Sequence, residues 1–211
     1  MRAEDSRDME LKSSDVEVLS RAEKLQLLHI ARDAMTAIVN DRDYSDSRPN
    51  NKNLTNRAGA FVTIKKHGEL RGCIGIIEPR FPLYQVVAEM AEKAALCDPR
   101  FEPLRKEELD ELDLEISVLS PPKEIENIEK IEVGHHGLIV ERSFHKGLLL
   151  PQVAIENNWN REEFLEYTCM KAGLAKDSYQ FPDIHLFIFT ASVFGEREFG
   201  IGSGENFARR E

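Results

Sequence analysis

Apolar residues recur at three- and four-residue steps over residues 20–40, where Ala22, Leu25, Leu28, Ala31, Met35 and Ile38 form one stripe, and this spacing predicts a helix. Ser20 and Glu23 at its start stand at capping-box spacing. A second stripe, Leu83, Val86, Val87, Met90, Ala91, Ala94 and Ala95, predicts a helix that stops at Asp98-Pro99. Between them, residues 41–56 are dense in Asp, Ser, Asn, Pro and Arg, which favours turns. Residues 59–65 and 70–77 are β-branched and apolar runs separated by Lys66-His67-Gly68-Glu69, the pattern of a hairpin. Strict alternation along the second run sends Arg71, Cys73 and Gly75 to one face and Leu70, Ile74 and Ile76 to the other.

Further on, Leu112, Leu114, Ile116 and Val118 alternate with Asp113, Glu115 and Ser117, as in a strand with one buried face. A charged segment follows over residues 123–132. A second hairpin is expected from residues 138–140 and 148–150, then a helical turn or two over 152–159, and a helix after Asn160 and Glu163 that ends at Gly173. The run from Ile184 to Phe194 reads as one central strand. Short flexible tails are expected at residues 1–16 and 201–211.

Composition narrows the classes. The chain has 211 residues, 41% hydrophobic and 31% charged, with no apolar run approaching the roughly 18–20 residues of a membrane span; a cytoplasmic protein is expected. Three widely spaced cysteines, Cys73, Cys97 and Cys169, without a CxxC pair, read as free thiols rather than a disulfide framework or a zinc knuckle. The net charge of −10 opposes nucleic-acid binding. The charge is uneven, however: between Arg48 and Arg80 there are seven basic residues and two acidic ones, a local balance of +5 that leaves −15 for the remainder. This segment is either a solvated basic face or a wall that attracts an anion. No Walker A, GxGxxG or GxSxG motif occurs, and nothing in the sequence indicates a cofactor or a metal site.

The motifs LRGCIG at 70–75, DPRF at 98–101, EISVLSPP at 115–122, HGLIV at 136–140 and GLLLPQVA at 147–154 together resemble one family, the domain family named for the Alport syndrome, midface hypoplasia and elliptocytosis chromosomal region. GAFVTI at 59–64, KAGL at 171–174 and Trp159 also fit, so that the resemblance runs from about residue 57 to about residue 196. It implies a single α+β domain over residues 17–200, with an antiparallel sheet and packed helices in a larger lobe (about 17–45 and 81–200), a smaller β-rich lobe (about 46–80) carrying LRGCIG, and a cleft between them. The family has no assigned reaction. Its members are similar to companions of Memo-like and radical S-adenosylmethionine proteins, which implies such a protein partner.

The candidate chemistry centres on Cys73, either a small filler on a strand or a thiol near the Arg71 guanidinium that contacts or attacks a small polar or anionic ligand. Gly72 and Gly75 fit a bulge or the close approach of another backbone or of a ligand. His136, placed by HGLIV, is the expected base, and Glu115 is either a solvated carboxylate or a general acid or base. Arg100 pairs with an acid or faces the ligand, and Gln152 offers an amide to it. An alternative without catalysis is an adaptor that docks a protein partner through the LRGCIG hairpin.

Overall fold

The structure, a computed structural model, describes residues 19–45 and 48–202. Helix α1 (Arg21–Val39) starts in the expected capping box: the Glu23 N–H donates to Ser20 Oγ at 3.3 Å, and the Ser20 N–H donates to the Glu23 carboxylate at 2.6 Å. A four-residue helix, α2 (Lys52–Thr55), lies inside the segment read as turns, where the Asn51 side chain caps it. Strands β1 (Ala60–Lys66) and β2 (Glu69–Ile76) form the first hairpin. Its two turn residues, His67 and Gly68, both take left-handed φ values of 53° and 89°, the geometry that matches the twist of the strands. Helix α3 (Leu83–Leu96) and strand β3 (Leu112–Leu119) follow.

β3 joins β1, and strand β8 (Ala191–Gly195) joins β3, giving an antiparallel sheet of order β2-β1-β3-β8. One face, with Val62, Ile64, Leu114, Ile116, Val118 and Phe194, packs on α1 and α3 as the first core. The second sheet has the order β4-β7-β5-β6. Its strands are β4 (Lys123–Ile125), β5 (Gly137–Arg142), β6 (His145–Leu149) and β7 (His185–Phe189). Leu138, Val140, Leu186 and Ile188 cover Phe164, Leu165 and Cys169 of helix α5 (Arg161–Lys171). That helix begins in the expected Asn160–Glu163 capping box and ends at Gly173, which has φ 75°. The Leu174 N–H reaches back to Cys169 O at 2.9 Å, a Schellman closure. A short helix, α4 (Pro151–Glu156), links β6 to α5.

The fold is α+β, with two four-stranded antiparallel sheets. A third apolar cluster joins them: Phe61 and Leu119 of the first sheet meet Ile139, Phe187 and Phe189 of the second. The run at 184–194, expected as one central strand, is divided at Thr190. Its first half lies inside the second sheet and its second half forms the edge of the first. The division has a hydrogen-bonded cause. Ser120, where the chain leaves the first sheet, donates its N–H to Thr190 O and accepts the Thr190 N–H on Oγ, both at 2.9 Å, so the two crossings are tied side by side. The charged segment at 123–132 supplies β4, an edge strand with two of three residues exposed. The hairpin expected as a smaller lobe at 46–80 contributes two of the four strands of the first sheet, because β1 is fully paired along β3 from Ala60 to Lys66. Of the expected tails, all but Ile201 and Gly202 lie outside the described residues; Ile201 packs against the first core.

Candidate functional site

The geometry of LRGCIG follows from one extra residue. From the turn, Lys66 stands opposite Glu69 and Lys65 opposite Leu70, but Ile64 stands opposite Gly72 and Thr63 opposite Cys73. Arg71 is thus the unpaired residue of a β-bulge, which reverses the facing of everything beyond it. Leu70, rather than Arg71, shares the side of Cys73. The Arg71 guanidinium instead joins Lys66 at Glu108: Nε and Nη2 donate to its carboxylate at 3.1 and 3.0 Å, and Nη1 donates to Glu102 O at 2.9 Å. Burial works against the charge on Glu108, but the hydrogen bonds from Arg71, the Arg105 N–H and Lys66 outweigh it and hold its pKa down at about 2.

That pairing predicts an acid-dependent stability. A carboxyl depressed in the folded state stabilises above its ordinary value of 4.5 and loses that contribution as the pH falls toward 2. Glu108→Gln is expected to lose up to about 3 kcal/mol at pH 7, with the deficit against wild type shrinking between about pH 5 and pH 2. Urea unfolding at several pH values measures it, and a deficit constant over that range would disprove the account.

The two glycines are explained by the chain itself. A Cβ at Gly72 would lie 2.3 Å from Ala94 O of α3, and one at Gly75 would lie 2.3 Å from the Phe61 ring. β2 therefore presses on the end of α3, and DPRF completes the junction. The Cys73 N–H, on the outer edge of the sheet, donates to Asp98 Oδ2 at 2.8 Å. Arg100 donates to both oxygens of the Asp98 carboxylate, at 2.9 and 2.7 Å, and its Nη2 lies 3.4 Å from Cys73 O. The Arg100 guanidinium holds the Asp98 carboxyl well below the usual range in spite of burial, and the N–H groups of Cys73 and Arg100 assist. Asp98 was read from sequence only as a helix stop. It also closes the exposed edge of β2.

With the register corrected, Cys73 belongs to a row that crosses the whole sheet: Cys73 opposite Thr63, Thr63 opposite Glu115, and Glu115 opposite Gly195. Thr63 Oγ1 donates to Cys73 Sγ at 3.2 Å. Glu115 accepts from Lys65 Nζ at 2.9 Å. At about 4.8 Å between strands, the Cα atoms of Cys73 and Glu115 lie about 10 Å apart. The side chains of Cys73, Thr63, Glu115 and Lys65 are partly exposed and lie on the face turned away from α1 and α3. The other thiols differ: Cys97 is exposed at the end of α3, and burial raises the pKa of Cys169.

His136 is placed elsewhere. It sits before β5 in the second sheet, where its Nδ1 accepts the Glu132 N–H at 3.1 Å and its ring tilts over His135 with centroids 4.9 Å apart. Burial, reinforced by His135, pushes its pKa below the ordinary value. No hydrogen bond joins it to Cys73 among the described residues. Gln152, on α4, lines a separate hollow of about 320 Å³ with His135, Ile155, Glu156 and Val193, and its Oε1 is buried there without a partner among the described residues. Among the described residues, no three His, Cys, Asp or Glu side chains are grouped to hold a metal ion.

The sequence model of the AMMECR1 family matches residues 28–194. The chain belongs to the AMMECR1 family. Protein MK0488 of Methanopyrus kandleri is 44% identical over 181 residues, covering 82% of this chain and 87% of its own length. Protein NEQ441 of Nanoarchaeum equitans is 42% identical over 82% of this chain and 99% of its own length. The crystal structure of an uncharacterised protein, PH0010 of Pyrococcus horikoshii, superposes with a TM-score of 0.76 at 39% identity, over 81% of this chain and 89% of that one. The names of these AMMECR1 relatives assign no reaction, and no helix among the described residues is long and apolar enough to cross a membrane.

Proposed function

We propose that the chain is a cytoplasmic enzyme or enzyme component that holds a small polar or anionic ligand against the exposed face of the first sheet. The observation that carries the reading is the cross-strand row, which sets a thiol, a hydroxyl and a carboxylate side by side, with an ammonium group on the last. In this reading Cys73 supplies the sulfur that meets the ligand, and Glu115, held by Lys65, exchanges a proton with the ligand as general acid or base. Arg100, committed to Asp98 and the Cys73 carbonyl, steadies the edge of β2. Arg71, committed to Glu108, holds the hairpin in place rather than the ligand. The family resemblance adds a Memo-like or radical S-adenosylmethionine protein as the partner that such a component would serve.

The test is alkylation by iodoacetamide at pH 7.5, read by peptide mass spectrometry, in the presence of a panel of small carboxylates, phosphates and amines. At least one member is expected to protect Cys73 and raise the melting temperature, with the melting shift lost in Cys73→Ser and the protection weakened in Glu115→Gln. Panel-wide failure to protect Cys73, or melting shifts that persist in Cys73→Ser, would sink the reading. A docking surface then becomes the better account, and it draws on Leu70, which is 42% exposed on the same hairpin.

A further inference from the structure

We propose that a second cavity, at the other end of the β1–β2 pair, binds a small carboxylate with an apolar body, such as a medium-chain alkanoate. The site is independent of the thiol row. Gly59 and Ile77, which line it, are each four residues along the chain from Thr63 and Cys73, about 13 Å away at strand spacing.

The cavity measures about 310 Å³, near the lower end of the volumes of small-molecule sites. Ile77, Leu83, Val118 and Leu119 give it apolar walls, and Pro79, Pro121 and Pro122 add rigid ones. These walls belong to separate segments that backbone hydrogen bonds fix in place. The Leu119 N–H donates to Gly59 O, the Leu83 N–H to Asn56 O and the Ser120 N–H to Thr190 O, each at 2.9 Å. A Cβ on Gly59 would lie 2.4 Å from Ile77 O, so those two backbones are already in contact. A preformed apolar hollow gains from being filled.

The second observation is electrostatic. Arg57 lines the cavity and is exposed. Among the described residues its guanidinium makes no hydrogen bond or ion pair. Further along the same basic segment, Lys65, Lys66, Arg71 and Arg80 each hold a carboxylate. No Asp or Glu lines the cavity, although the chain as a whole carries −10. A lone guanidinium beside apolar walls recognises a carboxylate head, which it can hold with two parallel hydrogen bonds, joined to a hydrocarbon body. An amine would leave the cation opposed, and a bare phosphate would leave the walls empty.

Calorimetric titration of the full 211-residue protein with sodium octanoate, 1-octanol and inorganic phosphate tests the proposal. Octanoate is expected to bind with a Kd below about 1 mM and at least about tenfold tighter than octanol, with phosphate silent. Arg57→Gln, at an exposed position that leaves the cores untouched, should bring octanoate down to the affinity of octanol. Ala58→Phe, which fills the cavity, should weaken both about tenfold. The proposal is overturned if octanoate shows no binding at 5 mM (about −3 kcal/mol), if octanol binds as well, or if Arg57→Gln leaves octanoate unaffected. Octanoate binding that is lost in Cys73→Ser and kept in Arg57→Gln would assign it to the thiol row and equally overturn the proposal.

Discussion

Arg32→Ala is expected to lose about 3–5 kcal/mol of unfolding free energy, because it leaves the Glu196 carboxylate buried and unpaired. Glu196 is 1% exposed. It accepts from Arg32 Nε at 2.8 Å, from Arg32 Nη2, and from the Leu114 N–H at 2.7 Å. Arg32 also donates to Leu112 O at 2.8 Å and Leu109 O at 3.2 Å. One guanidinium thereby joins α1, the start of β3 and the segment after β8. Arg32→Met combined with Glu196→Gln is expected to recover more than half of the loss, since no charge is then buried and the glutamine still accepts the Leu114 N–H. Urea unfolding of the two single variants and the double variant measures the coupling. A loss below about 1 kcal/mol for Arg32→Ala would place the pair among surface ion pairs and refute the assignment.

Gly72→Ala is expected to cost about 3 kcal/mol, the upper end for overpacking, because its methyl would sit 2.3 Å from the backbone oxygen of Ala94. Backbone cannot swing aside as a side chain can. Gly75→Ala meets the Phe61 ring at the same distance and Ala60 O at 2.6 Å; the ring can rotate away but the backbone oxygen cannot, so a comparable cost is expected. The two clashes nevertheless push on different neighbours. Relief of the Gly72 clash pushes β2 off the end of α3 and stretches the bond from the Cys73 N–H to Asp98, so amide exchange at Cys73 should accelerate in Gly72→Ala and stay near wild type in Gly75→Ala. Unchanged amide exchange at Cys73 in Gly72→Ala would show that α3 yields without moving β2.

The readable parts of this chain are those set by local periodicity or by capping chemistry. The α1 and α3 stripes, the two capping boxes and both hairpins depend on residues a few positions apart, and the sequence carries them openly. What stayed hidden depends on partners far along the chain or on a single inserted residue. The two-residue turn at His67-Gly68 would, in unbroken register, set Cys73 opposite Val62 and turn it toward the core. Arg71, the extra residue, moves it opposite Thr63 and onto the open face. The glycines around it signalled a bulge without saying which residue it would exclude. Likewise Glu115 was legible as a polar strand residue, but its place in the thiol row requires the pairing of β1 with β3 across some fifty positions. The break at Thr190 was masked because both halves of the run are apolar and β-branched or aromatic, and only the bonds to Ser120 divide them.

The paired crossings at Ser120 and Thr190 bear on the order in which the chain acquires its structure. The second sheet is built wholly from residues between them, whereas the first sheet needs β8, which pairs with β3, and Glu196, which lies 164 positions from its partner Arg32. During synthesis the later segment can close its contacts while α1, α3 and three strands of the earlier one still await their final strand, and contacts of such separation form late. A chain ending at residue 190 would retain every strand of the second sheet and leave β3 as an unpaired edge, exposing an apolar strand to other molecules. The last dozen described residues therefore decide whether β3, more than seventy positions earlier, has a partner on that side.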